Sequence, residues 1–342
     1  MYYRPKFAAY LTVALTLLSA LHSADAHFNP REHPRKVATC KARKRTPEPA
    51  TIIELSLEYV DINPNAQKTI MMVHGWPSLW STWSNQIQEF KEDYRLVVPD
   101  LRGFGESTHP GDTRTSGNMG DMVGDLVCIL EHAGVSSAIC MGHDWGSQVC
   151  YEAARMRPDI FAAVIGAVVP YIPSAGPFED HTRDASNCQQ PAPGLVFAKP
   201  RLVPDAWGHV EEIPPVPFFT AEEEDYFVEQ YSIQGFRYTL QFYMTENRYA
   251  SWQLAQSQGN HTIPQPALAI YPLNDPVADW MVAARLLKTA EFVPNLSTEL
   301  LEGAHWVHLE NPVKFNAIVR AWLRKLDESK NAENQHDVTD EL

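Results

Sequence analysis

From residue 51 onward the chain alternates short apolar runs with longer stretches whose apolar positions recur every three or four residues. "TIMMVHG" (69–75) and "RLVVPD" (95–100) are continuous apolar runs closed by turn residues, the pattern of strands buried on both faces. "SAIC" (137–140), "FAAVIGAVV" (161–169), "ALAIYPLND" (267–275) and "TELLEGAHW" (298–306) repeat the theme. Between them "NMGDMVGDLVCILEHAG" (118–134) has helical apolar spacing and stops at Gly134. Strand and helix in alternation predict an α/β fold, a mostly parallel sheet covered by helices on both faces.

That alternation lapses between Val169 and about Asn260. Residues 172–217 are rich in proline, with few periodic runs. "TAEEEDYFVEQY" then predicts a helix with Thr220 as N-cap and acidic residues in its first turn. "FRYTLQFYMTENRYASW" continues helically. The segment is expected to be an inserted lid over the carboxyl ends of the strands, where open α/β sheets bind ligands.

Composition changes this picture little. With 44% hydrophobic and 20% charged residues the chain is ordinary for a globular enzyme. Its net charge of -14 argues against nucleic acid or an anionic membrane surface as partner.

The termini add more. Arg4 and Lys6 precede the apolar run "FAAYLTVALTLLSAL", and "SADA" follows, the order of a secretory signal cleaved after Ala26. An uncleaved signal anchor is the rival, and otherwise no membrane span is expected in the mature chain. The sequence ends "VTDEL", resembling an endoplasmic-reticulum retrieval address, so the lumen of that organelle is the expected location, with secretion as the alternative. Sequons at Asn260 and Asn295 fit that compartment. The basic arm 27–50 is expected to be mobile or loosely docked. Five cysteines show no metal spacing: Cys128, Cys140 and Cys150 read as buried small hydrophobes, while Cys40 and Cys188 could pair.

The chemistry centres on "CMGHDWGSQV" (140–149). A strand-turn-helix of the form G-x-S-x-G presents a serine nucleophile in many hydrolases; here Asp144 holds the central place between Gly142 and Gly146. A carboxylate with a pKa of about 3.9 is ionised at neutral pH without a base. It is a poor acyl-transfer nucleophile but suits displacement at an sp³ carbon, forming an ester of the enzyme that water must release. Asp144 could equally be a helix N-cap. Against that stand "VHGWP" (73–77), where Trp76 and Trp145 could supply backbone N–H groups to an oxyanion hole, and His305 and His308 near the C-terminus. Asp275, ending the preceding strand, could orient the histidine. The order nucleophile, acid, histidine suits this architecture.

"HGWP" at 74, "DLRGFGES" at 100, "GHDWG" at 142, "GFRYTLQFY" at 235 and "AHWVHLENP" at 304 together resemble the epoxide hydrolase branch of the α/β-hydrolase superfamily, from about residue 55 to 325. The resemblance implies an α/β-hydrolase fold with a helical lid, Asp144 as nucleophile, His305 rather than His308 as base, and Asp275 as its partner. It implies ring opening assisted by two lid tyrosines. Tyr243 falls on one of them. No tyrosine occurs from residue 172 to 225, so Tyr171 is the candidate for the second, or no second donor exists.

The implied reaction converts a small, apolar epoxide to a vicinal diol, with no cofactor and no metal. Detoxification and natural-product biosynthesis both fit. A hydrolytic dehalogenase with the same nucleophile is the alternative, since Trp145 could donate to halide; a catalytically silent binding protein of the same fold is a second. The chain divides into a signal (1–26), the basic arm (27–50), two halves of the hydrolase core (51–168 and 261–328), the lid (169–260) and an acidic tail (329–342). Nothing in the sequence fixes the oligomeric state.

Overall fold

The computed structural model describes residues 28–178 and 216–340. The expected signal (1–26), the middle of the expected lid (179–215, with Cys188) and the last two residues lie outside the described residues. Eight strands form one sheet: β1 (Arg35–Lys44), β2 (Thr51–Ile62), β3 (Thr69–Val73), β4 (Arg95–Pro99), β5 (Ala138–His143), β6 (Phe161–Ala167), β7 (Ala267–Pro272) and β8 (Leu296–Leu301). Their spatial order is β1-β2-β4-β3-β5-β6-β7-β8. From β4 to β8 every neighbouring pair is parallel, while β2 runs antiparallel to both β1 and β4. Every residue of β3, β5 and β7 is buried, as their unbroken apolar runs require.

The chain leaves β3 toward β4 on one side and later returns to β5 on the other, so β3 and β5 lie at the point where strand order reverses. Open α/β sheets leave a crevice there, at the carboxyl ends of the strands. Helix α1 (Ser84–Phe90) precedes β4, α2 (Met119–Ala133) precedes β5, and α3 (Trp145–Met156) follows it. The side chain of Asn118 caps α2 and Gly134 ends it at φ 68°, as the sequence pattern predicts. Between β6 and β7 lie α4 (Ala221–Gln234), a 3-10 turn (Thr239–Tyr243) and α5 (Thr245–Gln258). Thr220 and Glu223 form a capping box at the start of α4.

Two expectations are corrected. Residues of the basic arm are not loose: they form β1, the outermost strand, paired with β2 from Arg35↔Val60 to Lys44↔Thr51. Ala38, Cys40 and Ala42 face inward while Val37, Thr39, Lys41 and Arg43 face outward, and the exposed charges of Lys41 and Arg43 blunt a sheet edge. The cysteines also pair differently. Cys40 is bonded to Cys128, joining β1 to α2, and Cys140 is bonded to Cys150, joining β5 to α3.

The start of the described chain also reaches the lid. Arg31 Nη2 donates to Glu229 Oε2 at 2.7 Å, and Arg35 divides its guanidinium between Tyr226 Oη (2.8 Å) and the buried Asp100 (2.7 Å). Phe28 packs edge-on to Trp80, whose indole also donates to Tyr226. The arm therefore fastens α4 to the core.

Candidate active site

Asp144 stands between the end of β5 and the start of α3, at φ 55° and ψ -124°. A left-handed φ is costly for a residue with a Cβ and persists only where the surroundings enforce it. Here the enforcement is close packing: a Cβ on Gly146 would run into the carbonyl of Val73, so α3 can begin against β3 only with glycine there. The covalent link between Cys140 and Cys150 spans the same turn. The result is a carboxylate raised on a rigid elbow beside the loop that follows β3.

That loop meets it directly. The backbone N–H of Trp76 donates to Asp144 Oδ1 at 2.9 Å. Gly75 leaves room for the contact, since a Cβ there would meet the Asp144 carboxylate. His74 shapes the loop: with its Nδ1 donating to the Gly75 carbonyl (2.9 Å), its Nε2 accepts from the Leu101 amide (3.1 Å). Burial lowers its pKa and keeps it neutral. Trp145 is the first residue of α3, where backbone amides have no partner within the helix.

Across the crevice, His305 Nδ1 lies 2.8 Å from Asp275 Oδ2 and His305 Nε2 lies 3.5 Å from Asp144 Oδ2. Asp275 is held in turn by the Trp280 indole (2.6 Å) and the Val277 amide (2.9 Å). Burial alone would raise its pKa; the hydrogen bonds from His305 and Trp280 outweigh that and lower it. Burial lowers the pKa of His305, but the carboxylates of Asp144 and Asp275 on its two nitrogens push it up to about 10. The resting histidine is thus an imidazolium between two carboxylates.

The loop carrying His305 is clamped by residues to which the sequence reading gave no role. Glu310 accepts from the amides of Ala304 (2.6 Å) and Trp306 (2.9 Å), the two neighbours of His305. His143 Nε2 donates to the His305 carbonyl at 2.8 Å. Both lie inside the motifs quoted above, at Glu310 in "HLENP" and His143 in "GHDWG", but only spatial proximity shows what they hold. His308 is fully buried against Trp83 and His143, and burial drives its pKa down to about 3, so it stays neutral and apart from Asp144.

Tyr243 ends the 3-10 turn of the lid and stands edge-on to both Trp76 and Trp145, with ring centroids 5.3 and 5.5 Å away. It keeps 40% of its surface open. Partial withdrawal from water, then the negative charge of Asp144, raise its pKa, so the phenol holds its proton at neutral pH. Tyr171 is not part of this group. It is fully buried and donates its hydroxyl to the carbonyl of His261 at 3.1 Å. The candidate second donor is therefore spent on the core, because Tyr171 follows β6 on the side that packs against Tyr151 and not on the side that faces the lid turn.

Among the described residues no cluster of histidine, cysteine and acidic side chains could hold a metal ion.

A family model described as alpha/beta hydrolase fold matches residues 68–187. Epoxide hydrolase 3 of Siraitia grosvenorii is 26% identical over 79% of this chain and 99% of its own length. Epoxide hydrolase A of Mycobacterium tuberculosis is 27% identical over 79% of this chain and 95% of its own. The crystal structure of epoxide hydrolase A from Mycobacterium thermoresistibile superposes with a TM-score of 0.65 and 26% identity, covering 84% of this chain and 98% of that one. Sheet order, elbow and lid insertion are those of the α/β-hydrolase fold. Within that fold, these full-length matches are all epoxide hydrolases.

Proposed function

We propose that this protein hydrolyses an apolar epoxide to a vicinal diol through an ester of Asp144. The observation that carries the reading is the division of the Asp144 carboxylate: Oδ1 is held by the Trp76 amide at 2.9 Å, leaving Oδ2, 3.5 Å from His305 Nε2, to attack. Oδ2 bonds to a ring carbon and the C–O bond of the epoxide breaks, its electron pair staying on oxygen. Tyr243 gives that oxygen its proton. Trp76, Trp145, Phe242 and Tyr243 surround the site with aromatic surface, which suits an apolar substrate.

Esterification removes the charge of Asp144, the first of the two carboxylates that hold the proton on His305. The proton on His305 is then given up, by way of solvent, to the phenolate that ring opening leaves at Tyr243, and the neutral imidazole becomes a competent base. It takes a proton from water, whose oxygen adds to the ester carbonyl carbon. Negative charge develops on Oδ1 under the Trp76 amide, where preorganised donors are worth most. Collapse of that intermediate expels the diol oxygen, which takes a proton from His305, and the Asp144 acid so formed returns its own proton to His305, restoring the carboxylate and the resting imidazolium.

Single turnover of a reactive epoxide in H₂¹⁸O tests the reading. The label should enter Asp144 in the first turnover and reach the diol only in later ones. Label in the first diol would mean direct attack by water and would end the proposal. Halide release from haloalkanes would put the dehalogenase reading in its place.

For location we propose the lumen of the endoplasmic reticulum. Two disulfides support an oxidising compartment, and the Asn260 sequon is exposed. Mass loss on enzymatic deglycosylation of protein made in the secretory pathway, cancelled by Asn260→Gln combined with Asn295→Gln, is the expected result.

A further inference from the structure

Trp76 is held at both ends. Its backbone amide binds Asp144, and its indole Nε1–H donates to Thr239 Oγ1 at 3.0 Å. Thr239 is the first residue of the 3-10 turn whose last residue is Tyr243. Only 1% exposed, it donates its own hydroxyl to the Phe236 carbonyl at 2.9 Å, so donor and acceptor capacity are used in one fixed rotamer. The turn is fixed to the core elsewhere as well, through Gln241 Nε2 to the Arg102 carbonyl at 2.7 Å. Thr239 is the residue of the turn that hydrogen-bonds the loop carrying the oxyanion-hole donor, whereas Tyr243 meets the Trp76 ring by an edge-on contact.

We propose that Thr239 is a positioning residue that makes alignment of the nucleophile depend on the seating of the lid. The inference rests on the reaction proposed above. One short turn presents the ring-opening acid at its end and grips the Asp144-binding tryptophan at its start. With the lid seated, Trp76 holds Oδ1 and leaves Oδ2 facing the substrate. With the lid displaced, the indole loses its acceptor, and the amide that both chemical steps use loses its anchor. Tyr243 serves ring opening alone. Thr239, acting through Trp76, serves ring opening and ester hydrolysis alike, and that difference can be measured.

Thr239→Val keeps the branched shape and removes the acceptor; Thr239→Ser restores it. In single-turnover experiments with a reactive aryl epoxide, the valine variant should slow both ester formation and ester decay about tenfold, a fraction of the 10²–10³ that loss of a whole oxyanion-hole donor costs. The serine variant should recover most of both rates. Trp76→Phe, which removes the indole N–H and keeps the backbone amide, should show the same double defect. Combined with Thr239→Val it should add little, because the two changes remove one bond.

Slower ester formation with unchanged decay would overturn the proposal and leave Thr239 a lid residue only. Additive effects of the two variants would overturn it as well. If the wild-type protein forms no ester at all, the functional reading fails, and hydrogen exchange at Trp76 then judges the coupling by itself. Thr239→Val should accelerate exchange at both the indole and the backbone N–H of Trp76; acceleration at the indole alone would refute the link.

Discussion

His305 Nε2 stands 3.5 Å from Asp144 Oδ2, so in the proposed mechanism the base of the second step begins the cycle as the counter-ion of the nucleophile in the first. An imidazolium paired with two carboxylates cannot take a proton. In the proposed cycle alkylation neutralises one of those carboxylates, which orders the two steps.

Replacing the base should separate the two steps. His305→Gln keeps a polar side chain near Asp144 but has no basic nitrogen. Ester formation should continue while hydrolysis falls by at least 10³-fold, within the span general-base catalysis and its geometry supply. Intact-protein mass spectrometry should then find the chain heavier by one substrate mass.

The histidine should titrate at two different values in one catalytic cycle. In the resting enzyme its pKa is about 10. In the ester form, without the Asp144 charge, it should fall, and the decay rate of the ester should rise with pH along a limb well below that of the resting enzyme. NMR titration of the resting imidazole, set beside single-turnover decay rates, checks the difference; coincident values would contradict it.

Stability should depend on pH through the same group. Its folded pKa of about 10 exceeds the 6.5 of free imidazole. The contribution is therefore complete below about pH 6.5 and is lost progressively as pH rises through 10. Melting temperatures measured between pH 7 and 10 should decline in the wild type, and less steeply in His305→Gln.

Tyr243→Phe should slow ester formation by about 10²-fold, the usual worth of one general acid, and leave ester decay within twofold of wild type. With Tyr171 committed to the His261 carbonyl, Tyr171→Phe should leave both rates unaltered.

The crosslink between Cys140 and Cys150 encloses Asp144 in a loop of sequence separation 10. Cys140→Ala with Cys150→Ala should cost about 2–3 kcal/mol by the chain-entropy estimate. Chemical denaturation measures the loss. Both sulfurs are fully buried, so mild reductant should leave the folded wild type intact.

The central strands were legible in the sequence because they are buried on both faces and carry unbroken apolar runs. β1 was not. Its inward positions are Ala38, Cys40 and Ala42, small side chains that give a period of two without bulk, and its outward lysines and arginines dominate the composition. Asp144 and His305 were visible because their chemistry sits inside local motifs. The disulfides were not, since pairing depends on which segments the sheet order brings together: Cys128 reads as one more apolar position of a helix until β1 is laid beside it. Tyr171 failed for a related reason. Its place just past a strand end is correct for a site residue, but which way a side chain faces there is decided by packing against Tyr151.

The grip of Arg31 and Arg35 on Glu229 and Tyr226 bears on how recombinant forms should be cut. A chain trimmed to begin at residue 68, where homology to the hydrolase model starts, would keep every reacting group and lose both outer strands. It would leave Asp100 buried without its cation and α4 without its hasp. Such a truncation should be treated as a different enzyme, with a gate that swings on fewer hinges.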